Sequence, residues 1–199
     1  DLHSFPTRRS SDLMLTQIIN GHILTPQGWM KDGSVLISDG KILEVTNSDL
    51  AVIGAKIIDA KGMFIVPGFI SMHAHGGGGH DFTESTPEAF QQAVQAHLKH
   101  GATSIFPTLS STSFDNIRKA VHTCEELMKE SESTIQGLHI EGPYLNKKMA
   151  GPQWEEFLKD PDPDEYIPLL ESTKCIKRWD ISPELPGAHD FARYTQIGR

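Results

Sequence analysis

Residues 71–82 read SMHAHGGGGHDF, directly after the mostly apolar run FIVPGFI at 64–70. In a strand, side chains at i and i+2 share one face, so an extended segment would aim His73 and His75 at the same metal ion. The four glycines that follow permit a sharp exit from the strand and a close approach of backbone to a ligand. The competing reading is two unrelated surface histidines beside a flexible loop, and the pattern on either side decides between them.

Downstream, strand and helix alternate. Thr86 is placed as an N-cap with Pro87 in the first helical turn, Phe90, Val94 and Leu98 make one apolar stripe, and Gly101 closes the helix. ATSIFPTLS at 102–110 reads as a strand in which Pro107 predicts an end or edge position. A second helix is expected over 113–130, with Ile117, Val121, Cys124 and Met128 on its buried face, where Cys124 is a core residue and not a nucleophile. IQGLHIEGPYL at 135–145 reads as a third strand, Asp162 caps a short helix over 163–172 containing Pro168, and IKRWDISPEL at 176–185 reads as a fourth.

Repeated βα units imply a parallel sheet, and four of them fit both an open doubly wound sheet and a closed (β/α)8 barrel. No GxGxxG opens the first helix, which argues against a dinucleotide site. In both architectures functional residues gather at the carboxyl ends of the strands.

The segment before Pro67 follows a different pattern of short strands and tight turns. Asn20-Gly21, flanked by Ile18, Ile19, Ile23 and Leu24, predicts one hairpin, and Asp39-Gly40 inside SVLISDGKILEV at 34–45 predicts another. Further strands are expected over 55–60 and 63–66. So much β structure in so short a stretch needs a partner sheet or an adjoining domain.

The chain of 199 residues carries a net charge of −8, which argues against a phosphate-backbone partner and so against nucleic acid. The two cysteines, Cys124 and Cys175, offer no disulfide framework and no metal-binding pair, as expected of a reduced, cytoplasmic protein. No apolar run approaches the ~20 residues of a membrane span. Both termini lack a strand or helix period: DLHSFPTRRSSDL at 1–13 and QIGR at 196–199 resemble in-frame translations of short-read sequencing adapters. They are expected to be artefacts, with native sequence between Met14 and about Tyr194.

His73, His75 and Glu141 close two of the expected strands, and neutral imidazoles with a carboxylate suit a divalent metal such as Zn²⁺ or Fe²⁺. A bound metal lowers the pKa of a coordinated water towards ~7 and polarises a carbonyl, which suits amide hydrolysis. His139 shares a strand face with Glu141, and spacing alone does not rank the two. His80 is either a solvated loop residue or a group behind the ligands, and Asp81 is placed to cap the loop.

PGFISMHAHGGGGHDF, ATSIFPTLSSTS, GLHIEGPYLNKKMAG and ISPEL, in this order and spacing, resemble the N-acetylglucosamine-6-phosphate deacetylases of the amidohydrolase superfamily. The resemblance runs from about Asn20 to Tyr194 and covers the N-terminal half of such an enzyme. It implies an α/β fold: a partial (β/α)8 metal-dependent hydrolase barrel of about four βα units over 65–195, preceded by part of a small β-sandwich over 14–64. It implies hydrolysis of N-acetylglucosamine 6-phosphate to glucosamine 6-phosphate and acetate by a homodimeric parent holding one or two divalent ions, Zn or Fe. Glu141, His73 and His75 match the family's metal ligands, and Gly151-Pro152-Gln153 matches a substrate-contacting turn, giving Pro152 and Gln153 as substrate-binding residues. The family's remaining ligands, aspartate base and phosphate clamp come from the barrel's other half, so the fragment is expected to be inactive alone. The rival readings are a dihydroorotase or adenine deaminase type of amidohydrolase, or a non-catalytic metal-binding fragment.

Overall fold

The computed structural model describes residues 15–47 and 51–196; most of the expected adapter-derived ends, 1–13 and 197–199, lies outside them. The chain divides into two compact units, Asp1–Pro67 and Gly68–Arg199.

In the first unit, β1 (Leu15–Thr25), β2 (Gly28–Ser38), β3 (Lys41–Thr46), β4 (Lys56–Asp59) and β5 (Phe64–Ile65) form a single sheet. The order is β3-β2-β1-β4, with β5 also on β1; β1, β2 and β3 are antiparallel neighbours, whereas β4 and β5 both run parallel to β1. The Asp39-Gly40 hairpin forms as expected, with positive φ at both residues. The Asn20-Gly21 hairpin does not. Asn20 adopts φ 57° inside one continuous strand, at a shift in register against β2, and its amide reaches Asp59 Oδ1 at 3.0 Å. Asparagine's tolerance of the left-handed region serves a bulge there as readily as a turn.

The second unit holds β6 (Phe69–Ala74), the small hairpin β7 (Gly76–Gly77) and β8 (His80–Asp81), α1 (Pro87–Lys99), β9 (Ala102–Leu109), α2 (Phe114–Met128), β10 (Leu138–Glu141), α3 (Pro163–Ser172), β11 (Ile176–Asp180) and α4 (Ala188–Gln196). β6, β9, β10 and β11 are parallel neighbours in that order, as a barrel wound strand by strand requires. The helix caps act through local chemistry: the Thr86, Ser113 and Asp162 side chains each accept a backbone N–H of the turn they open.

Alternation along β9 and β10 separates core from site. Ile105, Leu109, Leu138 and Ile140 are buried in one apolar cluster with Phe90 of α1, Ile117, Val121 and Cys124 of α2, and Leu169 and Leu170 of α3. Each such side chain contributes about 1.5–3 kcal/mol through burial. The intervening residues Thr108, His139 and Glu141 fall on the opposite face of these strands. A hydrogen bond with Cys175, together with burial, pushes the Cys124 thiol up, which leaves it protonated in the core.

Several expected boundaries are corrected. Pro107 lies in an interior strand; the β6–β9 register shifts beside it, and Ala74 N–H donates instead to Thr108 Oγ1 at 3.0 Å. The third strand begins only at Leu138, not at 135, and closes at Glu141 as expected, where the chain turns at Gly142, φ 91°. The fourth ends at Asp180 and not at 185, and α4 follows unforeseen. The sheet leaves exposed apolar side chains at one edge. They lie on the edge strand β6, at Phe69, Ile70 and Met72, while the last strand carries Lys177 and Arg178.

Candidate metal centre

The glycine run does local structural work. Gly78 and Gly79, φ 62° and 88°, turn β7 into β8, and a Cβ on Gly76 would sit 2.0 Å from the His80 carbonyl oxygen. The close backbone approach is thus within the hairpin, where His97 of α1 also meets the Gly76 carbonyl at 2.9 Å. Asp81 caps the 3-10 turn Phe82–Glu84, and His80 pairs with Glu84 at 3.3 Å.

His73 and His75, at the end of β6, meet Glu141, at the end of β10. The two histidine Nε2 atoms are 3.0 Å apart. Glu141 Oε2 lies 2.9 Å from His75 Nε2 and 3.6 Å from His73 Nε2. Three donor atoms crowd one point, and two of them are facing imidazole nitrogens that can share at most one proton. That arrangement suits a cation between them.

The neighbours hold these donors in place. Ser110 Oγ contacts His75 Nδ1 at 3.1 Å, so an Nδ1–H bond to Ser110 would leave Nε2 as the ligating atom. Gln153 Nε2 donates to Glu141 Oε2 at 3.1 Å, while its Oε1 accepts the Ser111 N–H at 2.7 Å. The Gln153 amide is therefore engaged at both ends, and Pro152 stands exposed in the adjoining turn.

His139, fully buried on the same strand face, forms a second group with His73 and Asp180. Its ring meets His73 edge-on, with centroids 4.9 Å apart. Burial pushes the imidazole below its ordinary pKa, against the pull of the Asp180 carboxylate. Sequence reasoning missed Asp180, Ser110 and the role of Gln153 towards Glu141. A period-2 reading that stopped the fourth strand at Asp180 would have put that carboxylate at the strand ends. Among the described residues no helix is long and apolar enough to cross a membrane.

Comparison with known proteins follows the same lines. A model of the "Amidohydrolase family" matches residues 64–183. N-acetylglucosamine-6-phosphate deacetylase of Haemophilus influenzae is 32% identical over 184 residues, covering 91% of this chain and 48% of that protein. The enzyme of the same name from Lysinibacillus sphaericus is 32% identical, covering 85% of this chain and 44% of that protein. The crystal structure of N-acetylglucosamine-6-phosphate deacetylase from Pasteurella multocida superposes with a TM-score of 0.85 at 23% identity, covering 92% of this chain and 48% of that one. That likeness supports the partial-barrel fold. The chain spans about half the length of the curated relatives it matches. With the family model covering residues 64–183, the chain belongs to the amidohydrolase family.

Proposed function

We propose that His73, His75 and Glu141 hold a divalent cation, Zn²⁺ or Fe²⁺, and that the protein in its full length deacetylates N-acetylglucosamine 6-phosphate to glucosamine 6-phosphate and acetate. The observation that carries the reading is the meeting of three ligand atoms, from β6 and β10, at the carboxyl ends of parallel strands. The names of the relatives from H. influenzae and L. sphaericus give the substrate class.

When bound, a divalent cation supplies a water acidified towards a pKa of ~7 and polarisation of the acetamide carbonyl. The chain's own residues do the positioning. Ser110 fixes the His75 ring through Nδ1, and Gln153 fixes the Glu141 carboxylate through Oε2. Gln153, in the turn matched to substrate contact, thus also positions a ligand, and Pro152, lacking an N–H, offers only its ring or carbonyl to a sugar. A general base, further ligands and a clamp for the 6-phosphate are expected from the barrel's other half, as is the homodimer contact. The buried free thiols Cys124 and Cys175 suit the cytoplasm.

The test follows acetate release by the full-length protein, loaded with Zn²⁺ or Fe²⁺, from N-acetylglucosamine 6-phosphate, beside ring opening of dihydroorotate and ammonia release from adenine as the rival reactions. Turnover of the amino-sugar phosphate alone supports the reading; turnover of either rival in its place overturns it. The present chain, loaded in the same way, is expected to release no acetate above free metal, because general acid–base assistance worth ~10²–10⁴-fold is missing.

A further inference from the structure

Glu141 and His75 leave one neighbouring group unexplained. His139 is fully buried, yet its Nε2 has no hydrogen-bond partner. Asp180 Oδ2 lies 3.1 Å from that nitrogen. The other ring nitrogen is accounted for, since His139 Nδ1 meets Thr108 Oγ1 at 3.0 Å. The Thr108 hydroxyl accepts the Ala74 N–H at 3.0 Å and reaches the Phe106 carbonyl at 3.2 Å. If its single proton goes to that carbonyl, Oγ1 can only accept from His139, and the imidazole proton sits on Nδ1. Nε2 then presents a bare lone pair to a carboxylate oxygen, inside the protein. Two electron-rich atoms at that separation repel unless a positive charge lies between them.

We infer that His139 Nε2 and Asp180 form a second divalent-cation site, set deeper in the sheet than the His75–Glu141 pair and completed by the His73 ring nitrogen that does not face His75, so that with both ions bound the His73 ring releases its proton to solvent and bridges them. The ligand atoms of the three residues lie within 4.8 Å of one another. Imidazole nitrogens with a carboxylate suit Zn²⁺ and similar borderline ions. Thr108 supplies what a ligating histidine requires, a partner on its other nitrogen that fixes tautomer and ring plane. Arg178 grips both oxygens of Asp180, Nε to Oδ1 at 3.1 Å and a terminal nitrogen to Oδ2 at 3.3 Å, so that Oδ2 lies between the guanidinium and His139. This fork fixes the carboxylate but also puts a positive charge beside it, which makes the deeper site the weaker of the two. The inference goes beyond the function proposed above, in which neither His139 nor Asp180 takes part.

The probe is Cd²⁺, followed by cadmium NMR and equilibrium dialysis on the full chain, with near-ultraviolet circular dichroism as the check on folding. The wild type is expected to bind two ions with two resonances, and Asp180→Asn and Glu141→Gln one each, at different shifts. One ion, lost in Glu141→Gln and kept in Asp180→Asn, overturns the deeper site and leaves the function proposed above standing. One ion with the reverse pattern supports the deeper site and removes the His75–Glu141 one. If Asp180→Asn does not fold, the wild-type spectrum decides: a single resonance at saturating Cd²⁺ that disappears in Glu141→Gln overturns the inference, and two resonances support it. Absence of any binding by the folded wild type overturns both sites.

Discussion

Gln153 Nε2 donates to Glu141 Oε2 at 3.1 Å, and the same amide accepts the Ser111 N–H at 2.7 Å. A residue matched to a substrate-contacting turn thus also holds a metal-ligand candidate. Removal of a hydrogen-bonded partner behind a ligand typically costs 10–100-fold in metal affinity. Gln153→Ala is therefore expected to weaken Zn²⁺ binding by roughly that factor, measured by competition with a chromophoric chelator. Unchanged affinity would leave Gln153 with a substrate role alone.

Phe90 is fully buried on α1, edge-on to Phe82 with centroids 5.0 Å apart. Phe90→Ala is expected to lower unfolding free energy by about 3–5 kcal/mol, read from urea denaturation at unchanged m-value. A loss below ~1 kcal/mol would contradict the packing of α1 against the sheet.

Gly76→Ala tests the role given to the glycine run. The added Cβ would meet the His80 carbonyl oxygen at 2.0 Å, and that atom is backbone, so the hairpin must move. A destabilisation of about 1–3 kcal/mol is expected, visible as a lower thermal midpoint in apoprotein treated with chelator. Equal stability in the metal-free state would point back to a ligand-contacting role.

Glu84 carries the pH prediction. The Asp81 backbone N–H, and secondarily the His80 side chain, hold its carboxyl below the usual glutamate range. Its folded pKa is depressed, so its stabilising contribution is present above the unfolded value of about 4.3 and is lost as pH falls through the folded value. The thermal midpoint of wild type should exceed that of Glu84→Gln near neutrality, and the gap should close in acid. A gap that widened as pH fell would contradict the cap.

The legible parts of this fold are those that local chemistry specifies. Thr86, Pro87 and the apolar spacing of Phe90, Val94 and Leu98 mark α1 because cap and stripe lie within a few residues of each other. The two histidines were likewise legible, since strand alternation sets their face; alternation left Glu141 and His139 unranked, and only the resemblance singled out Glu141. Asn20-Gly21 misled because positive φ serves a bulge and a turn alike. Asp180 and Ser110 escaped notice because their roles exist only across strands: Asp180 sits opposite Glu141 in the β10–β11 register, and Ser110 reaches back to His75. Nothing in the spacing along the chain announces either contact.

Zinc-edge X-ray absorption on the chain loaded with one equivalent of Zn²⁺ tests the central claim, that His73, His75 and Glu141 hold a divalent cation. The account predicts nitrogen and oxygen donors at about 2.0–2.2 Å, imidazole outer-shell scattering from two rings, and loss of one ring's share in His75→Ala. A shell of oxygen donors alone, or a spectrum that His75→Ala leaves unchanged, would contradict it.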